Sequence, residues 1–431
     1  MTQGGRLAIL GAGMAGLSLA YFLAEGCEIL EKSASAGGLC RSFQKNGLTY
    51  DLGGHVIFSS DQEILSLELD LLANNTKQHE RKNCVWFDGR AIKYPFENNL
   101  HALSKDDAFD CLWSFLNNPQ RQVSNLEDWI YNNFGRGIAE KYLLPYNEKI
   151  WKMPPNMMAC DWISRIPKPP TKDIVKSAIG IETEGNLEQL HFHYPAQGGF
   201  QALPDAIRSR LKVPIVGHFE IVSIEKEKNA WIISDGKTER SYEQIVSTIP
   251  LPSLIKTLKN VPAEVQTAAA NLVHNALIVV MLVARKNRSQ RNFGIYFPQP
   301  DLLFHRVCFY DFFQSGDHHT ASPVVAEITC RVGDDIWKMT DEEIISRVKT
   351  DLAREGFIEL SDIEGAQVQR APFAYVVFDL HTKSNLSVVN NFLDEQSIHR
   401  CGRFAEFRYI NSDAVMRSAK NLAAKIKGII V

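Results

Sequence analysis

Leu7–Leu10 is a short unbroken apolar run, followed by a glycine-rich turn and then an Ala/Leu-rich stretch through Ala24. An apolar run bounded by turn residues predicts a buried strand, and the stretch after it a helix. Cys27–Leu30 reads as a second strand, ending in Glu31. The period then changes repeatedly. Residues 61–80 read as a helix, 84–96 as two short strands around Phe87-Asp88-Gly89-Arg90, and 104–144 as helical with Ser104 in the N-cap position. Strand patterns recur up to Thr248-Ile249-Pro250, where the chain is expected to return to the first sheet. Residues 272–284 form the longest buried-strand pattern. Thr340 followed by Glu343 is a capping box, read as structural. A final amphipathic helix opens at Asn411-Ser412-Asp413.

The first stretch carries the clearest chemistry. Gly11, Gly13 and Gly16 stand at GxGxxG spacing between the strand and the helix. Gly11 permits the tight turn, Gly13 lets a pyrophosphate approach the backbone, and Gly16 lets the helix sit close to the sheet. Glu31, with Lys32 beside it, ends the next strand, where an acid accepts hydrogen bonds from an unphosphorylated adenosine ribose. That favours FAD or NAD over NADP. FAD fits better than NAD, because the alternating units of a nicotinamide dehydrogenase do not follow. A second glycine turn, Gly37-Gly38, precedes Arg41, which either meets a phosphate or is solvated. Gly53-Gly54 removes side chains just before His55, so something must come close there. The reading is an α/β protein: a Rossmann-like FAD-binding domain with an inserted helical domain and an antiparallel substrate-side sheet. Residues 1–80, 196–270 and 395–431 would form the discontinuous FAD-binding domain. Residues 100–192 would form a mainly helical substrate or lid domain, and 81–99 with 271–394 a sheet-containing substrate domain.

Composition narrows the alternatives. A chain of 431 residues exceeds the size at which one core stops growing. A formal net charge of -3 gives no global pull toward nucleic acid or anionic membrane. The eight cysteines are scattered without a CxxC pair, so neither a metal site nor a disulfide framework is expected. Ala276–Ala284, the longest apolar run, is far short of the ~20 residues of a membrane span. The start does not read as a signal peptide, and a soluble cytoplasmic protein is expected, with a homo-oligomer left open.

Residues 145–170 are dense in Trp, Tyr, Asn and Pro, better material for a site wall than for a plain core. Aromatic faces there could sandwich a planar base while Asn147 matches one hydrogen-bonding edge. Tyr296 and Arg306 would share a sheet face in an extended segment, unless Pro298 and Pro300 turn the chain. The candidates near a flavin are His55, Arg165, Arg306, Arg403, Tyr296, Tyr375 and Tyr409. Several arginines among tyrosines suggest a substrate carrying phosphates, since a guanidinium matches phosphate oxygens bidentately.

These residues carry a resemblance. YDLGGHVIFS (50–59), YPFENNL (94–100), GRGIAEKYLLPYNEKIW (135–151), CDWISRI (160–166), YPAQGG (194–199), IYFP with FHR (295–298, 304–306) and GRFAEFRY (402–409) resemble the UDP-galactopyranose mutase family, closest to its eukaryotic-type branch. The wider flavin amine oxidase and protoporphyrinogen oxidase superfamily shares only the glycine fingerprint, the APFAY segment and the GRF turn. The resemblance implies a mutase that interconverts pyranose and furanose forms of UDP-galactose, with N5 of reduced FAD attacking the anomeric carbon. NADPH, NADH or another donor would supply the reducing equivalents. It also implies that His55, Arg165 and Arg306 are the catalytic group. Tyr94, Glu97, Tyr146, Asn147, Trp151, Trp162, Tyr296, Tyr375 and Tyr409 would bind substrate. Gly38, Arg41, Gly54, His55, Arg403, Asn411 and Ser412 would join the first glycine turn, Glu31 and Lys32 around FAD. The chain departs from the family at Glu97, where Gln is usual, and at Gln197, where Arg is common. An FAD-dependent oxidase or desaturase is the alternative.

Overall fold

The computed structural model describes residues 2–3, 7–160, 162–163, 166–184, 187, 190–285, 292–313 and 321–428. At its centre is a five-stranded parallel sheet in the spatial order Ile215–Val216, Cys27–Leu30, Leu7–Leu10, Gln244–Ser247, His399–Arg400. Every residue of Leu7–Leu10 and Cys27–Leu30 is buried. A parallel strand covered on both faces requires this, and it explains the unbroken apolar run of Leu7–Leu10; Glu28, the one charged residue of Cys27–Leu30, accepts from Arg240 Nη1 at 3.0 Å and from the Tyr242 hydroxyl. Leu7 and Ile9 join one core with the Met14–Leu23 helix and the Ser412–Ile426 helix, whereas Ala8 and Leu10 join another with Trp231, Ile233 and Tyr242.

A second, seven-stranded sheet is mostly antiparallel, ordered Ile363–Val376, His274–Ala284, Ser322–Cys330, Arg306–Phe309, Gly294–Tyr296, Asn83–Phe87, Arg90–Lys93. His274–Ala284 is shared between cores. Leu277, Val279, Met281 and Val283 face the dinucleotide-side core, while Ile278, Val280 and Leu282 face the Asp341–Arg354 helix. The helical unit comprises Lys105–Leu116, Leu126–Ile138 and Leu144–Trp151. Ser104 accepts the capping hydrogen bond from the Asp107 amide, and Thr340 with Glu343 completes the capping box. The protein is therefore α/β, with a parallel sheet beside antiparallel sheets and an inserted helical unit.

Two local expectations change. The helix expected over 61–80 ends at Leu72, and Thr76–Glu80 is a strand paired antiparallel with His191–Pro195. A polar TKQHE segment has no helical apolar stripe, and its partner lies too far along the chain to leave a local signal. Tyr296 and Arg306 lie on two strands joined by a turn, so continuous-strand parity does not apply. They are nevertheless direct cross-strand partners, which puts both side chains on one face.

Candidate functional site

Gly11 follows the Leu7–Leu10 strand, and the helix from Met14 begins three residues after it. A Cβ on Gly16 would lie 2.0 Å from the Gly11 carbonyl oxygen, so only glycine lets the helix close onto the turn. The second glycine turn packs directly on the first: the Gly37 amide donates to the Ala12 carbonyl at 2.8 Å. A Cβ on Gly13 would meet nothing nearer than the Gly38 Cα at 3.9 Å, leaving space over the backbone for a pyrophosphate. Glu31 accepts the Ala12 amide at 2.7 Å and the Ser33 amide at 2.8 Å. It braces the turn and keeps further lone pairs for ribose hydroxyls.

From this turn one cavity of about 720 Å³ extends across the molecule, within the usual range for ligand sites. Its nucleotide end is lined by Gly11, Gly13, Glu31, Lys32, Gly38 and Arg41, opposite Phe219–Ile221 and Thr248–Pro250. Its middle is lined by Gly54, His55, Arg403 and the start of the Ser412–Ile426 helix, with Asn411 and Ser412. Asn411 holds the N-cap position, but its side chain makes no capping hydrogen bond. That helix is tied instead through Asp413, which accepts from the Ser59 hydroxyl at 2.5 Å. The far end is lined by Tyr94, Glu97, Tyr146, Asn147, Trp151, Trp162, Tyr296, Arg306, Tyr375 and Tyr409. Of the residues singled out in the sequence, Gly16 sits behind the wall and Arg165 lies outside the described residues.

His55 has Nδ1 3.1 Å from the Gly53 carbonyl, and its ring packs against Phe200 at 5.0 Å. The carbonyl can only accept, so Nδ1 carries the proton and Nε2 is left as an acceptor. Desolvation, aided by the Arg306 and Arg403 charges and opposed by Glu327, lowers the imidazole to about 4. His55 is thus a neutral ring at pH 7.

Arg306 is gripped by a residue the sequence reading missed. Glu327, fully buried in the Ser322–Cys330 strand, takes Arg306 Nε at 2.9 Å and Nη2 at 2.7 Å. The same carboxylate accepts the Gly54 amide at 2.9 Å. A Cβ on Gly54 would lie 3.1 Å from Cys308 Sγ and 3.4 Å from Arg306 Cζ, so the glycine makes room for this cluster. Burial alone would raise Glu327, but Arg306, then His305, and the hydrogen bonds it accepts hold it below the ordinary carboxylate value. A lone acid in VVAEITC, an otherwise uncharged buried strand, was the available signal.

The aromatic end forms two groups. Tyr94, Tyr146 and Tyr296 pack with ring centroids 5.3 and 5.6 Å apart, and Tyr142 stacks on Tyr146 at 5.5 Å. Trp151 contacts Trp162 at 4.7 Å and Tyr409 at 5.4 Å, and Arg403 lies 4.4 Å over the Tyr409 ring. Asn147 is already engaged within its helix: Oδ1 accepts from Trp151 Nε1 at 3.0 Å and Nδ2 donates to the Leu143 carbonyl at 2.7 Å. Only its second N–H and spare lone pairs remain for a ligand. Asn83, Tyr142 and His305 also line this end and were not anticipated. Glu97 is 1% exposed and raised to about 8 by desolvation.

The parallel sheet, the paired glycine turns and the acid-tipped second strand make an α/β protein of the dinucleotide-binding kind, whose glycine turns open onto one cavity that continues to a group of aromatic and arginine side chains. The model of the flavin containing amine oxidoreductase family matches residues 14–387, and the chain belongs to that family. Among solved structures, the fold is similar to a reduced UDP-galactopyranose mutase at 23% identity and a TM-score of 0.90, covering 99% of this chain and 94% of that one. It is also similar to a putative protoporphyrinogen oxidase from Exiguobacterium sp. 255-15 at 14% identity and a TM-score of 0.78, over the whole of both chains. A CLA-producing fatty acid isomerase from P. acnes matches at 16% identity and a TM-score of 0.66, over 99% of each. Among the described residues no helix is long and apolar enough to cross a membrane.

Proposed function

We propose that this protein is an FAD-dependent mutase that interconverts the pyranose and furanose forms of a nucleotide sugar, with UDP-galactose the first candidate. The observation that carries the reading is that the guanidinium of Arg306 and the phenols of Tyr296, Tyr375 and Tyr409 line the aromatic end of the cavity that the glycine turns open. A diphosphate there would find guanidinium and phenol donors rather than an apolar cage. When bound in its reduced form, the flavin supplies a nucleophilic N5 to the anomeric carbon.

The chain's own residues position and shield. Glu31, Lys32, Arg41, the two glycine turns, Arg403, Asn411 and Ser412 would hold FAD, with the long helix N-terminus favouring its negative charge. His55, neutral and with Nε2 unprotonated, would accept a hydrogen bond from an N–H group in the middle of the cavity. Arg306 has two donors committed to Glu327, which fixes its plane, and it would offer the remaining N–H groups to the diphosphate. Arg165 would add a further guanidinium. The buried Tyr and Trp rings exclude water from the sugar. The family name and the likeness to a putative protoporphyrinogen oxidase keep an oxidase or desaturase as the competing reading.

Calorimetric titration of UDP into the flavin-loaded protein, reduced by dithionite, NADPH or NADH, tests the substrate class. Saturable binding without oxygen-consuming turnover supports it. Absence of UDP binding, with flavin reduction by an amine or porphyrinogen, would sink it.

A further inference from the structure

Glu97 lies in a single helical turn, Phe96–Asn98, whose three residues are all buried. Its side chain borders the aromatic end of the cavity, and its Oε1 has no hydrogen-bond partner. Two elements pack on this turn: the Thr171–Ala178 helix, bearing Lys172, Asp173 and Lys176, and the Arg90–Lys93 strand. Lys93 is paired at the surface with Glu184 at 2.7 Å. Tyr142 stacks on Phe96 at 5.1 Å, and Tyr94 precedes the turn with Arg81 5.4 Å over its ring. None of these cations offsets the burial of Glu97: desolvation raises the carboxyl, opposed only by a backbone hydrogen bond. An isolated carboxylate in such a place is costly, and the group takes up a proton instead.

A protonated carboxyl differs from a carboxylate in what it can recognise. The carboxylate only accepts, whereas the acid presents an O–H donor and a carbonyl acceptor side by side. We propose that Glu97 is a specificity-determining residue whose protonated carboxyl reads the planar base of the nucleotide-sugar substrate, matching an adjacent N–H and C=O pair such as the imide edge of uracil. The proposal rests on the nucleotide-sugar reading above. The rings of Tyr94 and Tyr146 supply flat apolar faces beside the base, and Glu97 supplies the in-plane contact. Ionisation of Glu97 removes the donor and sets a negative charge against a base carbonyl, so recognition fails as pH rises.

The test uses the flavin-loaded protein and UDP as the probe, titrated by calorimetry from about pH 6 to about pH 9, for wild type and Glu97→Gln. Wild-type affinity is expected to fall roughly tenfold per pH unit above about 8. In Glu97→Gln, whose amide keeps a donor and an acceptor without titrating, the profile becomes flat. The infrared spectrum at neutral pH is expected to show a protonated-carboxyl band in the wild type that Glu97→Gln lacks. Identical profiles for the two proteins, or no band lost on substitution, overturn the role of Glu97 and leave the nucleotide reading standing. Failure of UDP to bind either protein at any pH overturns the nucleotide reading and this proposal together. If Glu97→Gln does not retain flavin, the wild-type pH profile decides alone: a fall above about 8 supports the proposal and a flat line overturns it.

Discussion

Arg306 and Glu327 face each other in direct register on adjacent antiparallel strands, joined by two hydrogen bonds of 2.9 and 2.7 Å. The guanidinium is thereby locked in one plane at the cavity wall. The carboxylate also holds the Gly54 amide, so the substrate-side sheet and the glycine-histidine loop are tied at one point. Phosphate recognition by Arg306 would depend on that orientation more than on free charge, because the pair is close to neutral.

Glu327→Gln should lower stability by roughly 3 kcal/mol at neutral pH, since it leaves a largely buried guanidinium without its counter-charge. The sign of the pH dependence follows from a carboxyl whose folded value is depressed. Its contribution is present above the unfolded value of about 4.3 and is lost as pH falls through the folded value. Denaturant unfolding of both proteins across the acidic range should show the gap between them closing as pH falls.

Arg306→Ala should weaken UDP binding while flavin stays bound, but it also strands Glu327 as an unpaired buried carboxylate. The double variant Arg306→Ala/Glu327→Gln separates the effects. Stability should return toward wild type because no orphan charge remains, whereas UDP affinity should stay low. Recovery of affinity in the double variant would remove Arg306 from the binding site.

Gly54→Ala places a methyl group 3.1 Å from Cys308 Sγ and 3.4 Å from Arg306 Cζ. Overpacking of this kind costs about 1–3 kcal/mol, and the movable partner is the arginine. UDP affinity should fall about tenfold while the flavin absorbance ratio changes little. A crystal structure of the variant should show the guanidinium displaced.

Gly16→Val should act at the opposite end. Its Cβ would sit inside contact distance of the Gly11 carbonyl, so the helix must move off the turn. Purified protein should carry little or no flavin, read directly as the ratio of visible to ultraviolet absorbance. Full flavin occupancy would contradict the reading of that turn.

What the sequence made legible was local or periodic. Leu7–Leu10 announced a buried strand by its unbroken apolar run, and the glycine spacing between it and Cys27–Leu30 identified the turn. Most of the residues singled out border one cavity, and they stood out because aromatic rings, arginines and paired glycines are poor choices for an ordinary core. Less was visible where a role depends on a distant partner. Thr76–Glu80 becomes a strand only because His191–Pro195 lies beside it. Glu327 matters because a register across two strands brings Arg306 to it. Asn147 looked free to read a ligand, yet Trp151 and Leu143, one helical turn to either side, occupy much of its amide.

Product analysis tests the mutase reaction most directly. Dithionite-reduced, flavin-loaded protein is incubated anaerobically with a panel of nucleotide-diphosphate hexopyranoses, and the sugars are separated by chromatography. The account predicts a furanose form of at least one UDP-sugar, formed without net consumption of reductant and absent when the flavin is oxidised. No furanose from any sugar, while the flavin turns over with an amine or porphyrinogen, would contradict it.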